Sequence, residues 1–299
     1  MHPNPSSATA PRAAADADLS RRGFVAASIA GGLVAAAPMA GAALPLSESD
    51  VSIKTADGTC DAAFIRPASG TYPGVLVWVD AFGLRPSMRD IARRLAGEGY
   101  AVLVPNPYYR ASKAPQWETA ENVDFNDAAF RAKLQPLRDT ILAPGAIERD
   151  ATAYVGFLDA QPQVDKGRLI GSQGYCMGGA LVVKTAAALP ERIGAGASFH
   201  GGGLVTNQPD SPHLLAPRIR ARMYFGVAQN DDQRQPDAKD KLREAFAAAK
   251  VPTEVEVYPA KHGWCVPDMP KDGGAPIYDA AQAERAWGKL LALYKAGLS

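Results

Sequence analysis

Cysteine, histidine and excess charge of either sign are all scarce in this chain of 299 residues. The three cysteines, Cys60, Cys176 and Cys265, are too few and too widely spaced for a disulfide framework or a CxxC zinc site, and at least one stays unpaired within the monomer. The 32 basic and 31 acidic side chains nearly cancel, so no basic field exists to hold nucleic acid or an anionic membrane. No internal repeat is visible, and beyond residue 44 no apolar run reaches the length of a bilayer. No metal or organic cofactor is implied. What is present is chain enough, at 47% hydrophobic content, for one large core or two modest ones. A small neutral or weakly charged ligand suits such a composition.

The N-terminus stands apart. A polar, alanine-rich leader over 1–18 precedes Ser20-Arg21-Arg22-Gly23-Phe24-Val25, a nearly uncharged run over 23–44 and the small residues Ala40-Gly41-Ala42. An arginine pair ahead of a weakly apolar, Ala- and Gly-rich stretch resembles a twin-arginine signal, read by the machinery that exports folded proteins. The expectation is a signal over 1–42 removed by cleavage. That would leave a soluble, periplasmic or secreted domain over 43–299 in which basic and acidic side chains balance. An uncleaved anchor is the alternative, although glycine and alanine make a weak spanning segment.

From about residue 48 the pattern is alternating. Residues 51–55 and 59–66 flank Ala56-Asp57-Gly58, whose Asp-Gly pair favours positive φ, so the first element is an antiparallel hairpin. Residues 75–79, 101–104, 168–172, 195–199, 223–227 and 254–258 are short, mostly apolar runs of the kind buried on both faces of a parallel sheet. Helical spacing covers 88–98, with Ser87 as its cap, and roughly 148–160, 179–189, 237–250 and 279–296. The expected fold is a single doubly wound, mostly parallel α/β domain with an N-terminal hairpin. Residues 105–145 are the irregular exception, read either as a lid or binding segment or as a helical insertion on the sheet edge.

The most informative stretch runs from Leu169 into Gly174-Tyr175-Cys176-Met177-Gly178-Gly179. An apolar strand enters Gly-x-Cys-x-Gly-Gly and continues straight into a helix, the context of a nucleophile elbow, where the helix N-terminus favours thiolate and oxyanion. Folds that carry such an elbow place nucleophile, acid and histidine in that chain order. The strand over 223–227 ends in Asn230-Asp231-Asp232, at the sheet edge where such folds gather catalytic groups. Asp232 is taken as the orienting acid and Asp231 as the reserve. His262, in Lys261-His262-Gly263-Trp264 after the last strand, is the base. His200 and His213 hold no place in that order, and His200 is expected to line the pocket.

These residues resemble the dienelactone hydrolase family of the α/β-hydrolase superfamily, over nearly the whole of 43–299. The resemblance rests on the elbow sequence, on Asp232 with Pro236 four residues on, and on His262-Gly263. It implies a Cys-His-Asp triad that opens a small ester or lactone through a Cys176 thioester. Backbone N–H groups of Met177 and Ala81 would form the oxyanion hole. Asp80, in Val79-Asp80-Ala81-Phe82-Gly83, stands where the family has a longer glutamate that partners the resting thiol. Arg110, in Pro105-Asn106-Pro107-Tyr108-Tyr109-Arg110, stands where an arginine binds the substrate carboxylate, and Tyr175 and Trp264 are expected in the same pocket. A second binding arginine is replaced by Val266. A general carboxylesterase or thioesterase and a catalytically silent lactone-binding protein are the alternatives.

Overall fold

The computed structural model describes residues 44–125 and 127–299. The expected signal over 1–42, with Arg21 and Arg22, lies outside the described residues. Strands β1 (Leu46–Thr55) and β2 (Gly58–Pro67) form the hairpin, paired antiparallel from Leu46–Pro67 to Thr55–Gly58. Strands β3 (Gly74–Trp78), β4 (Ala101–Pro105), β5 (Ile170–Tyr175), β6 (Ile193–Phe199), β7 (Arg222–Ala228) and β8 (Thr253–Tyr258) complete one sheet in the order β1-β2-β4-β3-β5-β6-β7-β8. Every pair from β4 onward is parallel, and β2 meets β4 antiparallel. A small hairpin (Lys271–Asp272 with Ala275–Pro276) lies apart from this sheet.

The apolar runs become parallel strands because both faces of the sheet are covered. Alternation along β3 sends Val75 and Val77 to one core and Leu76 and Trp78 to the other. Helices α1 (Pro86–Gly97) and α7 (Ala280–Gly297) cover the first core with Ile91, Leu95, Leu290 and Tyr294. Between α1 and α7 in the chain come α2 (Ala128–Leu142), α3 (Ala146–Ala160), α4 (Met177–Ala188), a short α5 (Gln229–Arg234) and α6 (Ala238–Ala248). Of these, α3, α4 and α6 close the second core with Tyr154, Val182 and Phe246 among others.

One local expectation changes, and the irregular segment takes on a helix. Helix α1 begins at Pro86, with Arg85 at the N-cap and no side-chain cap, so Ser87 lies inside the first turn. Proline at that position presets the helical φ and lacks only an N–H that no helix would use. The irregular segment contains α2, capped by Asp127, whose side chain accepts from the Ala129 N–H. The Asn-Asp-Asp run lies in the first turn of α5. Among the described residues no helix is long and apolar enough to cross a membrane. The C-terminal ends of β3, β5, β6, β7 and β8 all open on the same edge, where parallel α/β sheets place their ligands.

Candidate active site

Strand β5 runs into Cys176 and on into α4 without a linker. Cys176 holds φ 51° and ψ −115°, a strained conformation that lifts the side chain clear of the sheet. A Cβ on Gly174 would strike the Gly178 carbonyl, and one on Gly178 would strike the Trp78 carbonyl, so only glycine permits strand and helix to approach this closely. The Cys176 N–H is shared between Phe199 O and His200 Nδ1, both at 3.1 Å. The Cys176 carbonyl accepts from Gly179 N and Gly202 N. The thiol is half-buried at the N-terminus of α4, whose first N–H groups have no intrahelical acceptor.

His262 stands over this elbow. Its Nδ1 lies 2.6 Å from Asp231 Oδ2, its backbone N–H donates to Asn230 Oδ1 at 2.8 Å, and the Cys176 side chain is close enough to act on its charge. Burial acts to lower the His262 pKa. The Cys176 charge and the hydrogen bond to Asp231 outweigh it and push the imidazole up to about 10. The carboxylate that faces His262 is Asp231, the reserve candidate, and not Asp232. Successive residues on a helix point about 100° apart, so on α5 only one of the two carboxylates can face His262. Asp232 turns to Lys239 Nζ at 2.7 Å. Asn230, which the sequence reading passed over, holds the histidine backbone.

The loop after β3 supplies the other side. Ala81 lines the same cleft as Cys176 and Met177, and the buried Tyr108 hydroxyl donates to the Ala81 carbonyl at 2.8 Å, fixing that peptide. Asp80 does not partner the thiol. Both its oxygens are taken by the guanidinium of the buried Arg85, at 2.7 and 2.9 Å, and Arg85 also grips Asp268 at 2.7 Å through two nitrogens. This clamp ties the Ala81 loop to the segment that follows His262.

Other expected pocket residues lie elsewhere. Tyr175 is buried, stacked on Phe199, with its hydroxyl accepting from Gln173 Nε2. Trp264 is buried and stacked on Tyr258. His200 is fully buried beneath the elbow, its ring edge-on to His262 at 4.8 Å. Because its Nδ1 accepts from Cys176 N–H, it is the Nε2–H tautomer. Burial and the neighbouring His262 charge press its pKa well below 6.5, so it stays neutral. Aromatic side chains beside a site pack into the core as readily as they line a pocket.

Arg110 is also committed. It binds Asp150 through two nitrogens at 2.9 and 2.7 Å and Asp57 at 2.6 Å, and lies over the Tyr109 ring. It pins the β1–β2 turn to α3 and does not line the Cys176 cleft. Arg110→Met leaves Asp150, with 3% of its side chain exposed, without its cation. The expected cost is about 3 kcal/mol of stability, read as a lower urea midpoint. Anionic and neutral esters should lose activity equally in that variant; a loss confined to anionic esters would contradict the assignment.

The cleft over Cys176 has a volume of about 560 Å³ and walls from α2, α3 and α4. Such an arrangement can hold a carbonyl between a thiolate and two backbone N–H groups with an imidazolium at hand, the geometry of acyl transfer.

Residues 60–298 match the dienelactone hydrolase family. A carboxymethylenebutenolidase of a Pseudomonas species is 36% identical over 183 residues, 61% of this chain and 70% of that protein. A Methylorubrum extorquens protein provisionally named a carboxymethylenebutenolidase is 30% identical over 290 residues, 92% of this chain and 94% of that protein. Among solved structures, a dienelactone hydrolase-like promiscuous phosphotriesterase from metagenomic libraries is 25% identical with a TM-score of 0.68, over 85% of this chain and 100% of that one.

Proposed function

The chain belongs to the dienelactone hydrolase family, and we propose that it cleaves its substrate through a Cys176 thioester, with His262 as acid and base and Asp231 as the orienting carboxylate. It is a hydrolase of ester or lactone bonds on the α/β-hydrolase fold. The observation that carries the mechanism is the 2.6 Å contact between Asp231 and His262, with that imidazole within electrostatic reach of Cys176 on a strained elbow at a helix N-terminus.

The Cys176 thiolate attacks the carbonyl carbon, and the electron pair of the C=O moves to oxygen. Backbone N–H groups of Met177 and Ala81 stabilise that oxyanion; one such donor is worth about 3 kcal/mol. As the tetrahedral adduct collapses, the C–O bond breaks and the departing oxygen takes the Nε2 proton of His262, leaving a thioester. His262, now neutral, removes a proton from water, and the hydroxide attacks the thioester. The second adduct expels the Cys176 thiolate, releases the acid and restores the imidazolium. Asp231 keeps Nδ1 protonated throughout, so Nε2 always faces the reaction.

Tyr108 and the Arg85 clamp support the oxyanion donor, and neutral His200 holds the nucleophile's own N–H. Turnover of a nitrophenyl ester, abolished by alkylating Cys176 and protected by substrate, tests the assignment. Unchanged turnover after complete alkylation would reject it.

Export by the twin-arginine route belongs to the same proposal, on the strength of Arg21-Arg22 ahead of an almost uncharged run. Changing both arginines to lysine should leave the precursor in the cytoplasm. Normal periplasmic recovery of the double variant by fractionation would refute that route.

A further inference from the structure

Helix α2 forms one wall of the cleft with a single stripe of side chains. Leu134, Arg138 and Leu142 recur at every fourth position, so they share a helix face, and all three line the cleft over Cys176. Leu137 and Ile141 form the core side of the same helix, and Phe130, one turn ahead of Leu134 in the stripe, is itself buried. Leu142 is 55% exposed and Phe125, also on the cleft, 43%. One exposed leucine is ordinary, but two large apolar side chains on the rim of one reaction cleft form a continuous surface with Ile147 and Leu181 inside it. At about 560 Å³ the cleft is in the range that encloses a drug-sized ligand, about 300–1,000 Å³. A bare lactone ring would leave most of this apolar wall in water.

The charge in the stripe is as informative as the hydrocarbon. The other cation on the cleft, Lys184, is paired with Asp210 at 2.9 Å. Among the described residues Arg138 has no hydrogen-bond or ion-pair partner. Its charge reaches the Tyr108 hydroxyl: burial and the Asp80 and Cys176 charges raise that phenol's pKa, and Arg138 opposes them.

We propose that the substrate is an amphiphilic ester much larger than a simple lactone. Its bulky apolar body, of phenylalkyl size, lies along Leu134, Leu142 and Ile147, and its carboxylate meets Arg138. Arg138 is thereby the specificity residue for the acid group, in place of Arg110, which is held by Asp57 and Asp150. This rests on the Cys176 hydrolase reading above.

Three nitrophenyl esters with one leaving group test it: the acetate, the phenylbutanoate, and the half-ester of phenylglutaric acid, which adds a carboxylate. The expected kcat/KM rises at least about tenfold from acetate to phenylbutanoate by apolar contact, and about tenfold again for the half-ester through a charge-assisted bond. Arg138→Gln should remove only the second gain and Leu142→Ser should shrink the first. Both positions are exposed, so the variants should fold, which an unchanged thermal midpoint checks. Acetate turned over as well as the larger esters, or Arg138→Gln lowering neutral and anionic esters alike, would overturn the inference while Cys176-dependent acetate hydrolysis left the reaction standing. Turnover of all three esters by Cys176→Ala would overturn the reaction itself.

Discussion

Replacing Cys176 by alanine is expected to lower ester hydrolysis roughly ten-thousand- to millionfold, and His262→Ala to do nearly the same, because nucleophile and base act as one unit and losing either removes most of the effect of both. Neither change should unfold the protein. Both side chains lie at the mouth of the sheet edge and neither belongs to the two apolar cores. Retention of more than a tenth of the original turnover by purified Cys176→Ala would reject the mechanism. The same variant carries an electrostatic signature. The Cys176 charge is the largest influence raising the His262 pKa to about 10, so without the thiol the imidazole must titrate at lower pH, which NMR reads directly. The sign extends to stability. A histidine raised from 6.5 to about 10 contributes stability that is complete below pH 6.5 and lost as pH rises through about 10. In Cys176→Ala that window narrows from its alkaline side.

The second large effect separates two adjacent carboxylates. Asp231→Asn should cut turnover roughly a hundred- to ten-thousandfold, since an amide can hold His262 in the wrong tautomer and cannot stabilise the imidazolium. Asp232→Asn should stay within about fivefold of the parent, because it removes only a half-exposed pair with Lys239. Thermal midpoints should differ little between the two. The reverse ranking, with Asp232 the sensitive position, would contradict the 2.6 Å contact between Asp231 and His262.

The contrast between these neighbours shows what a sequence carries and what it withholds. The parallel strands were legible because burial on both faces leaves an apolar run with few competing readings, as along Gly74–Trp78. The elbow was legible because its glycines are imposed by backbone collisions that any residue with a Cβ would suffer. Asp231 and Asp232 were not separable, since which one faces His262 depends on the rotational phase of the six-residue helix Gln229–Arg234, and a helix this short has no apolar stripe to reveal its phase. Asp80 and Arg110 show a different limit. A resemblance carries over a position, but the partner that occupies the side chain comes from elsewhere: Arg85 for Asp80, Asp57 and Asp150 for Arg110. Arg138 escaped because Pro136 inside α2 hides a helix whose every-fourth-residue stripe would otherwise have marked the cleft wall.

Acid-quenched mass spectrometry tests the central claim most directly. The Asp231→Asn enzyme, slowed in thioester hydrolysis, is stopped during turnover of the phenylbutanoate ester and digested, and each peptide is weighed. The account predicts the mass of one phenylbutanoyl group on the peptide containing Cys176, absent when Cys176 is also alanine. Turnover with that peptide unmodified and the acyl group on another residue would contradict it.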